Sequence, residues 1–167
     1  MGMDAESRRS RSPRFRTALE LLGWVLLAQL AGVVGSVATA SSVSGWYTTL
    51  ARPALAPPSW VFAPVWTTLF TLMGVAAFLA WRADGEKRPA FAAFAAQLLL
   101  NVAWSFVFFG ARAIGPALAV IAVLWVLIVA TIWAFDRVDR RAALLLVPYL
   151  LWVSFAAFLN YRFWVLN

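Results

Sequence analysis

Residues 115–135 read GPALAVIAVLWVLIVATIWAF and carry no charged side chain. An α-helix of that length crosses the hydrocarbon core of a bilayer, which is roughly 30 Å thick, because each residue adds about 1.5 Å along the axis. The whole chain is similarly apolar: 63% of its 167 residues are hydrophobic, 13% are charged, and the mean hydropathy is +0.81. A water-soluble domain is nearer to about half apolar and a quarter charged. The composition therefore predicts an integral membrane protein.

Four further apolar segments are long enough to span a bilayer, so the sequence predicts an all-α bundle of five transmembrane helices. Polar or helix-breaking residues separate them, for example at residues 82–89 and 136–141. Pro148 is expected to kink the fifth helix, because proline cannot donate the helical hydrogen bond. The predicted membrane domain covers residues 18–167, with helices near residues 18–40, 60–81, 90–110, 115–135 and 142–165.

Lysine and arginine are distributed unequally between the two sides of this bundle. The N-terminal arm, residues 1–17, carries five arginines, and the second and fourth connections carry three basic residues each. These eleven fall on one side, and the other side carries three: Arg52, Arg112 and Arg162. Because basic residues mark cytoplasmic loops, the N-terminus is predicted to be cytoplasmic and the C-terminus to lie outside.

The net charge of +7 points to a lipid surface rather than to nucleic acid, because the basic residues lie between apolar spans. The expected location is a prokaryotic plasma membrane. An alternative interpretation of the Arg- and Ser-rich arm is an organelle transit sequence, which Asp4 and Glu6 disfavour.

Histidine and cysteine do not occur in the sequence. Disulfides, thiolate metal sites, cysteine nucleophiles and histidine-based catalysis are therefore excluded. We expect no metal site and no required cofactor. Nearly all of the seven acidic residues lie in polar segments, so the sequence also offers no conventional acid–base pair.

Tryptophan is unusually frequent, with ten residues in the chain. An aromatic belt at the membrane surface accounts for five of them, which lie near predicted helix ends: Trp24, Trp60, Trp81, Trp133 and Trp164. Four others lie six or more residues inside their predicted spans: Trp66, Trp104, Trp125 and Trp152. Flat aromatic walls at that depth favour a pocket for a large, planar, mostly apolar ligand.

Polar side chains lie, like these deep tryptophans, in the half of the predicted bundle that is nearer the outer side of the membrane. Two stripes with a spacing of four residues are formed by Gln97, Asn101 and Ser105 on the third helix and by Trp152, Ala156 and Asn160 on the fifth. Amides in a bilayer must face the bundle interior. They either hold helices together through hydrogen bonds or provide polar contacts in the pocket, and the sequence leaves both interpretations open.

The longest connection, residues 41–59, contains three prolines and the adjacent aromatic residues Trp46 and Tyr47. Prolines favour an extended, stiff backbone. A long loop with this content is typical of a lid over a binding site. The alternative is that the aromatic side chains belong to the interfacial belt.

Six runs of residues stand in a fixed order along the chain: WYTTLARP at 46–53, PPSWVFAPVW at 57–66, QLLLN at 97–101, FFGAR at 108–112, PYLLW at 148–152 and FAAFLN at 155–160. Together they resemble the translocator protein family, also called TspO, the tryptophan-rich sensory proteins or the peripheral benzodiazepine receptors. The resemblance covers about residues 40–167 and leaves out the N-terminal arm.

This resemblance implies a five-helix bundle, usually a homodimer, with a ligand cavity beneath the first long loop. Members of the family bind porphyrins such as protoporphyrin IX and haem, sterols, and synthetic isoquinoline carboxamides or benzodiazepines. By position, Trp46 and Tyr47 are lid residues, and Ala92 and Ala96 fall at the dimer seam. The cavity lining by position is Trp66, Asn101, Trp104, Trp152 and Ala156.

The C-terminal cholesterol motif of the animal members is incomplete here, because Tyr161 and Arg162 are adjacent where the motif has a spacer. Sterol binding is therefore not predicted.

The function expected from this resemblance is porphyrin binding for sensing, sequestration or transmembrane movement. An alternative is the light- and oxygen-dependent degradation of bound porphyrin, which the resemblance links to Trp66 and Trp152. Proton-coupled export is a third interpretation, and the lack of a mid-membrane carboxylate disfavours it.

Overall fold

The computed structural model describes residues 13–167, and every regular element in that range is helical. Five helical segments are long and apolar enough to cross a membrane, which confirms the predicted five-helix bundle. Residues 1–12 of the predicted basic arm, which covers residues 1–17, lie outside the described residues. Residues 13–17 belong to the first helix.

The described chain forms seven α-helices: α1 Pro13–Val43, α2 Trp46–Thr49, α3 Phe62–Arg82, α4 Arg88–Ser105, α5 Ile114–Asp136, α6 Arg140–Leu145 and α7 Val147–Leu166. A 3-10 turn, Ser59–Val61, precedes α3, and a π-helical turn, Phe106–Gly110, follows α4. The fifth span is interrupted at Leu146, two residues before Pro148, where the sequence predicted a kink. Pro148 lies in the first turn of α7, where its missing N–H group costs no helical hydrogen bond.

The π-helical turn ties the third span to α1. The Ala111 N–H group donates to the Phe106 carbonyl, the i→i−5 bond of a π-helix, and the next turn follows with the Ala113 N–H group donating to the Val107 carbonyl rather than to that of Phe109. Ser42, at the end of α1, donates its hydroxyl to the Phe109 carbonyl at 2.7 Å and is 2% exposed. This carbonyl is thereby satisfied by a residue 67 positions away in the chain.

The five spans close into a ring. Helix α1 packs against α3 and α4, α5 packs against α4 and α7, and α6 packs against α3. The approach of α1 to α3 is very close at Gly74, where an added Cβ atom would lie 2.4 Å from the Cα atom of Val25. Only glycine fits at that position without separating the two helices.

The outer surface of the bundle is apolar. On α1, Leu22, Leu26, Leu30 and Val33 recur every three or four residues, and each is more than half exposed. Apolar exposure on this scale is typical of a surface that meets lipid. Four of the five predicted belt tryptophans are also at least half exposed: Trp60, Trp81, Trp133 and Trp164.

The two ends of the bundle differ in charge. At the end that we call the charged end, Arg82 on α3 pairs with Glu20 on α1 at 3.1 Å, and the connections after α3 and α5 carry further basic residues. The opposite end, which we call the lid end, carries α2 and the last residue, Asn167.

Candidate functional site

A cavity of about 450 Å³ lies inside the bundle toward its lid end. This volume is within the range of small-molecule binding pockets. Helices α1, α3, α4 and α7 all contribute to it. Its aromatic wall consists of Phe62, Trp66, Phe70, Trp104, Phe109 and Trp152.

The structure brings together five of the nine predicted ligand-binding residues on the cavity wall: Trp66, Asn101, Trp104, Trp152 and Ala156. The other four lie in the layers around the wall: Trp46, Tyr47, Gln97 and Asn160. The role of all nine residues in ligand binding stays a prediction, whereas the structure shows that five of them line the cavity.

Gln97 lies one layer behind Asn101 and reaches it through Tyr149. The Tyr149 hydroxyl donates to Gln97 Oε1 at 2.9 Å and accepts from Asn101 Nδ2 at 3.0 Å. All three side chains are buried. The two amides thus link α4 to α7 through Tyr149, and Asn101 in addition faces the cavity. The helix-linking interpretation therefore holds for both amides, and the pocket-contact interpretation stays a prediction for Asn101, which lines the cavity.

Asn160 also lies behind the wall, where it holds Trp104. The indole Nε1 of Trp104 donates to Asn160 Oδ1 at 3.1 Å, and Asn160 Nδ2 donates to the carbonyl of Ile114 at 2.8 Å. The Trp104 ring stacks on Phe108 with centroids 5.4 Å apart. These contacts fix the orientation of an indole that lines the cavity.

Trp152 is different, because the hydrogen-bonding capacity of its indole is unused. Within residues 13–167, its Nε1 is the one fully buried side-chain nitrogen or oxygen without a hydrogen-bond partner. A buried donor without a partner costs about 1–3 kcal/mol. The indole ring as a whole lies on the cavity wall.

Trp46 and Tyr47 form a separate aromatic cluster at the lid end. The Tyr47 ring packs against Phe109, which lines the cavity, with centroids 5.7 Å apart, and Trp46 meets Phe108 edge-on at 5.9 Å. Burial raises the pKa of the Tyr47 phenol, and the neighbouring Arg52 guanidinium partly offsets that rise. Tyr47 thus reaches the cavity wall through Phe109, whereas Val43 and Ser59 of the same connection line the cavity directly.

Asn167 fastens the rest of the lid connection to the end of the fifth span. Its Oδ1 accepts from the backbone N–H group of Ala51 at 2.9 Å, and its Nδ2 donates to the Ala51 carbonyl at 3.2 Å. Both backbone groups of one lid residue are therefore paired with a single side chain.

The model of the TspO/MBR family matches residues 24–165. The chain belongs to the TspO/MBR family. It is 46% identical over 140 residues to "Tryptophan-rich protein TspO" of Chlorobaculum tepidum, covering 81% of this chain and 88% of the relative. It is 39% identical over 149 residues to "Tryptophan-rich sensory protein" of Cereibacter sphaeroides, covering 87% and 94%.

An animal relative is similar to the same extent. Over 147 residues the chain is 39% identical to "Translocator protein" of Bos taurus, with 86% of this chain and 87% of the relative covered. Membership of the TspO/MBR family, together with five membrane-spanning helices, makes this a multi-pass integral membrane protein.

Sequence reasoning missed the contribution of α1 to the cavity of this TspO/MBR protein. Gln29, Ser36 and Thr39 line it, as do Gly32 and Gly35. A stripe of small and polar residues every three or four positions on α1 was the available signal. Added Cβ atoms at Gly32 and Gly35 would lie 2.6 Å from the Phe70 ring and 3.2 Å from Ser105 Oγ, so both glycines admit a neighbour that lines the cavity.

The more exposed side of the cavity lies between α1 and α3. All of the cavity-lining residues that are exposed come from α1, the 3-10 turn or α3: Val33, Ser36, Ala40, Ser59, Ala63 and Thr67. Gln29 bridges the two helices there, because its Nε2 donates to the carbonyl of Thr67 and to the hydroxyl of Thr71, both at 2.9 Å.

Trp125 does not join the other deep indoles. It is 40% exposed on the outside of the bundle, and its Nε1 donates to the Ser154 hydroxyl at 2.8 Å. The expectation that depth alone places an indole at the pocket is therefore wrong for Trp125, because its side chain lies on the outer face of α5 and does not line the cavity. Among residues 13–167, no group of three or more acidic side chains is placed to hold a metal ion.

Proposed function

We propose that this TspO/MBR protein binds porphyrins and similar flat, mostly apolar molecules in the cavity, and acts in their sensing, sequestration or movement across the membrane. The observation that carries the proposal is the convergence of Trp66, Trp104, Trp152 and Asn101 on one cavity of about 450 Å³. Indole faces stack on a planar ring system, and a few polar groups among them orient it.

The relatives support the same proposal. One is named for a sensory role and another for translocation. We extend those roles to this chain together with the ligand class. Protoporphyrin IX and haem are the proposed ligands, and neither is proposed as a required cofactor.

A titration with protoporphyrin IX in the dark tests the binding proposal. Quenching of tryptophan fluorescence is followed in the purified protein, in the Asn101→Leu, Trp152→Phe double variant, and in Trp125→Phe as a control outside the cavity. We expect saturable binding in the micromolar range that the double variant weakens and the control retains. Linear quenching that is equal in all three proteins would indicate partition into detergent and would overturn the proposal.

We propose light- and oxygen-dependent degradation of the bound porphyrin as a second function. The observation that favours it is the position of Trp66 and Trp152 on the walls of one cavity, each from a different helix. Excited porphyrin and oxygen would supply the reactivity, and the two indoles would donate electrons or react with intermediates. Illumination in the presence of oxygen should then produce a new absorption spectrum in the wild type and in Trp125→Phe, but not in Trp66→Phe or Trp152→Phe. Unchanged spectra in the illuminated wild type would contradict it.

We further propose that the charged end faces the cytoplasm of a prokaryotic plasma membrane. Its excess of lysine and arginine supports this orientation. Because the sequence contains no cysteine, single-cysteine variants report directly on topology. Asp84→Cys at the charged end should resist a membrane-impermeant thiol reagent in intact cells, and Leu55→Cys at the lid end should react. The opposite pattern would reverse the orientation.

A homodimer is the last part of the proposal. Ala92 is exposed and Ala96 half-buried on α4, so both are available to a second copy. Small residues at this spacing let two helices approach closely. Cysteine at residue 92 should form a disulfide-linked dimer in the membrane on oxidation, whereas cysteine at Val123, which is exposed on α5, should not. Equal cross-linking at both positions would reject this seam.

A further inference from the structure

A chain of hydrogen bonds runs behind the cavity wall from α3 to α4, to α7 and back to α4. Gln97 Nε2 lies 3.9 Å from the sulfur of Met73, and the Tyr149 hydroxyl connects Gln97 to Asn101 with bonds of 2.9 and 3.0 Å. The four side chains are between 0% and 4% exposed, so water does not compete for these bonds. Buried polar groups of this kind are costly unless each is paired.

Met73 fixes the direction in which the chain runs. Its thioether sulfur accepts hydrogen bonds weakly and donates none. Gln97 must therefore point its N–H group at the sulfur and its carbonyl at Tyr149, because the reverse orientation would leave a buried carbonyl facing an acceptor. Tyr149 has a single hydroxyl hydrogen, which it donates to Gln97, so its oxygen accepts from Asn101.

The donor-to-acceptor order of these hydrogen bonds determines which end of the Asn101 amide faces the cavity. Nδ2 is bound to Tyr149, and Oδ1 accepts from no described residue. Within residues 13–167, Trp152 Nε1 is the one side-chain nitrogen or oxygen that is both fully buried and without a hydrogen-bond partner. Because Asn101 Oδ1 also has no partner, it cannot be fully buried. Since Asn101 is 4% exposed and lines the cavity, its Oδ1 opens onto that space as a hydrogen-bond acceptor.

We propose that Gln97 and Tyr149 are positioning residues that make the cavity select flat ligands with an N–H or O–H donor facing Asn101. Neither residue lines the cavity, and their hydrogen bonds reach it through Asn101. The inference rests on the proposed ligand-binding function and adds to it the polarity of the preferred ligand.

A matched pair of ligands tests this selectivity. Phenanthridin-6(5H)-one is a flat three-ring lactam with one N–H donor, and its N-methyl derivative keeps the rings and the carbonyl but donates no hydrogen bond. Dissociation constants are measured by tryptophan quenching in the dark. We expect the wild type to prefer the N–H lactam by about fivefold, the contribution of one neutral hydrogen bond.

Two variants disturb the chain in different ways. Tyr149→Phe removes the group that holds Asn101, so its amide turns freely, and the preference should fall below about twofold. Gln97→Leu leaves the Tyr149 hydroxyl with Asn101 Oδ1 as its acceptor, so the amide reverses and presents N–H groups to the cavity. The preference should then disappear or favour the N-methyl ligand. Thr131→Val removes another buried hydroxyl, on α5, and should leave the preference unchanged.

The possible outcomes separate this inference from the proposed function. Equal binding of the two lactams by the wild type, or a preference that persists in both chain variants, refutes the inference while the cavity stands as a binding site. Saturable binding of protoporphyrin IX without binding of either lactam also refutes the inference alone. Non-saturable uptake of all three compounds refutes both. If Tyr149→Phe does not fold, Gln97→Leu decides.

Discussion

Replacing Gly74 by alanine tests the helix contact that supports the cavity from the charged end. The new Cβ atom would lie 2.4 Å from the Cα atom of Val25, 2.8 Å from its nitrogen and 2.9 Å from the carbonyl oxygen of Trp24. Carbon atoms in ordinary contact lie about 3.5–4.0 Å apart, so α1 and α3 must separate by roughly 1 Å. Backbone atoms of a helix cannot rotate away as the end of a side chain does.

The size of the effect follows from two opposing contributions. Overpacking of this kind costs about 1–3 kcal/mol, whereas alanine favours the helix by about 1 kcal/mol relative to glycine. We expect Gly74→Ala to lower the free energy of unfolding by up to about 2 kcal/mol. The matched control is Gly23→Ala on α1, where an added Cβ meets nothing within 4 Å. That variant should gain up to about 1 kcal/mol.

Both variants are compared with the wild type by reversible SDS titration in detergent micelles, followed by tryptophan fluorescence. Trp24 is adjacent to the altered contact and is one of the ten tryptophans that contribute to the signal. A Gly74→Ala protein as stable as Gly23→Ala would refute the close packing of α1 on α3.

Three further predictions concern single contacts. Asp139 caps α6 by accepting from the Arg141 N–H group, so Asp139→Ala should cost about 1 kcal/mol of unfolding free energy at pH 7. A hydrogen bond from the Arg141 side chain lowers the pKa of Asp139 below that of an ordinary carboxyl group. The stabilisation by Asp139 is therefore fully present above the ordinary carboxyl pKa and is lost as the pH falls through the lowered pKa of the folded protein. Unfolding curves at pH 7 and pH 3 will show this loss. Asn160→Leu leaves the Trp104 N–H group unpaired and should cost about 1–3 kcal/mol in SDS titration. Arg112 has a φ of 56°, so Arg112→Gly should raise stability by about 0.5–1 kcal/mol in the same assay.

Hydropathy predicted the spans well, because a membrane helix is defined by a long apolar run that any single segment displays. Local chemistry also predicted the interruption at Leu146, since the effect of Pro148 depends on the nearby backbone alone. The π-helical turn at Phe106–Gly110 was not predictable in this way. Its Phe109 carbonyl is satisfied by Ser42 from another helix, and such a partner is visible only in the folded chain.

The cavity was predictable where residue type and depth both mattered. Trp66, Asn101 and Trp152 are costly or bulky in a bilayer, so their presence inside a span signals a special position. The contribution of α1 was missed because glycine and serine are common at helix contacts of every kind. Trp125 shows the limit of depth as a criterion, since the direction of a side chain around its helix depends on which neighbours pack there.

We propose that porphyrin occupies the cavity between the four contributing helices, and labelling of single thiols tests this directly. Because the native chain contains no cysteine, Ala156→Cys places a single reactive thiol on the cavity wall, and Ala92→Cys places one on the outer surface of α4. The rate of labelling by N-ethylmaleimide is measured in the dark with and without saturating protoporphyrin IX. We predict that porphyrin slows labelling at residue 156 by about tenfold or more, the effect of ~90% occupancy, and leaves residue 92 unaffected. Equal rates at residue 156 with and without porphyrin would contradict the claim.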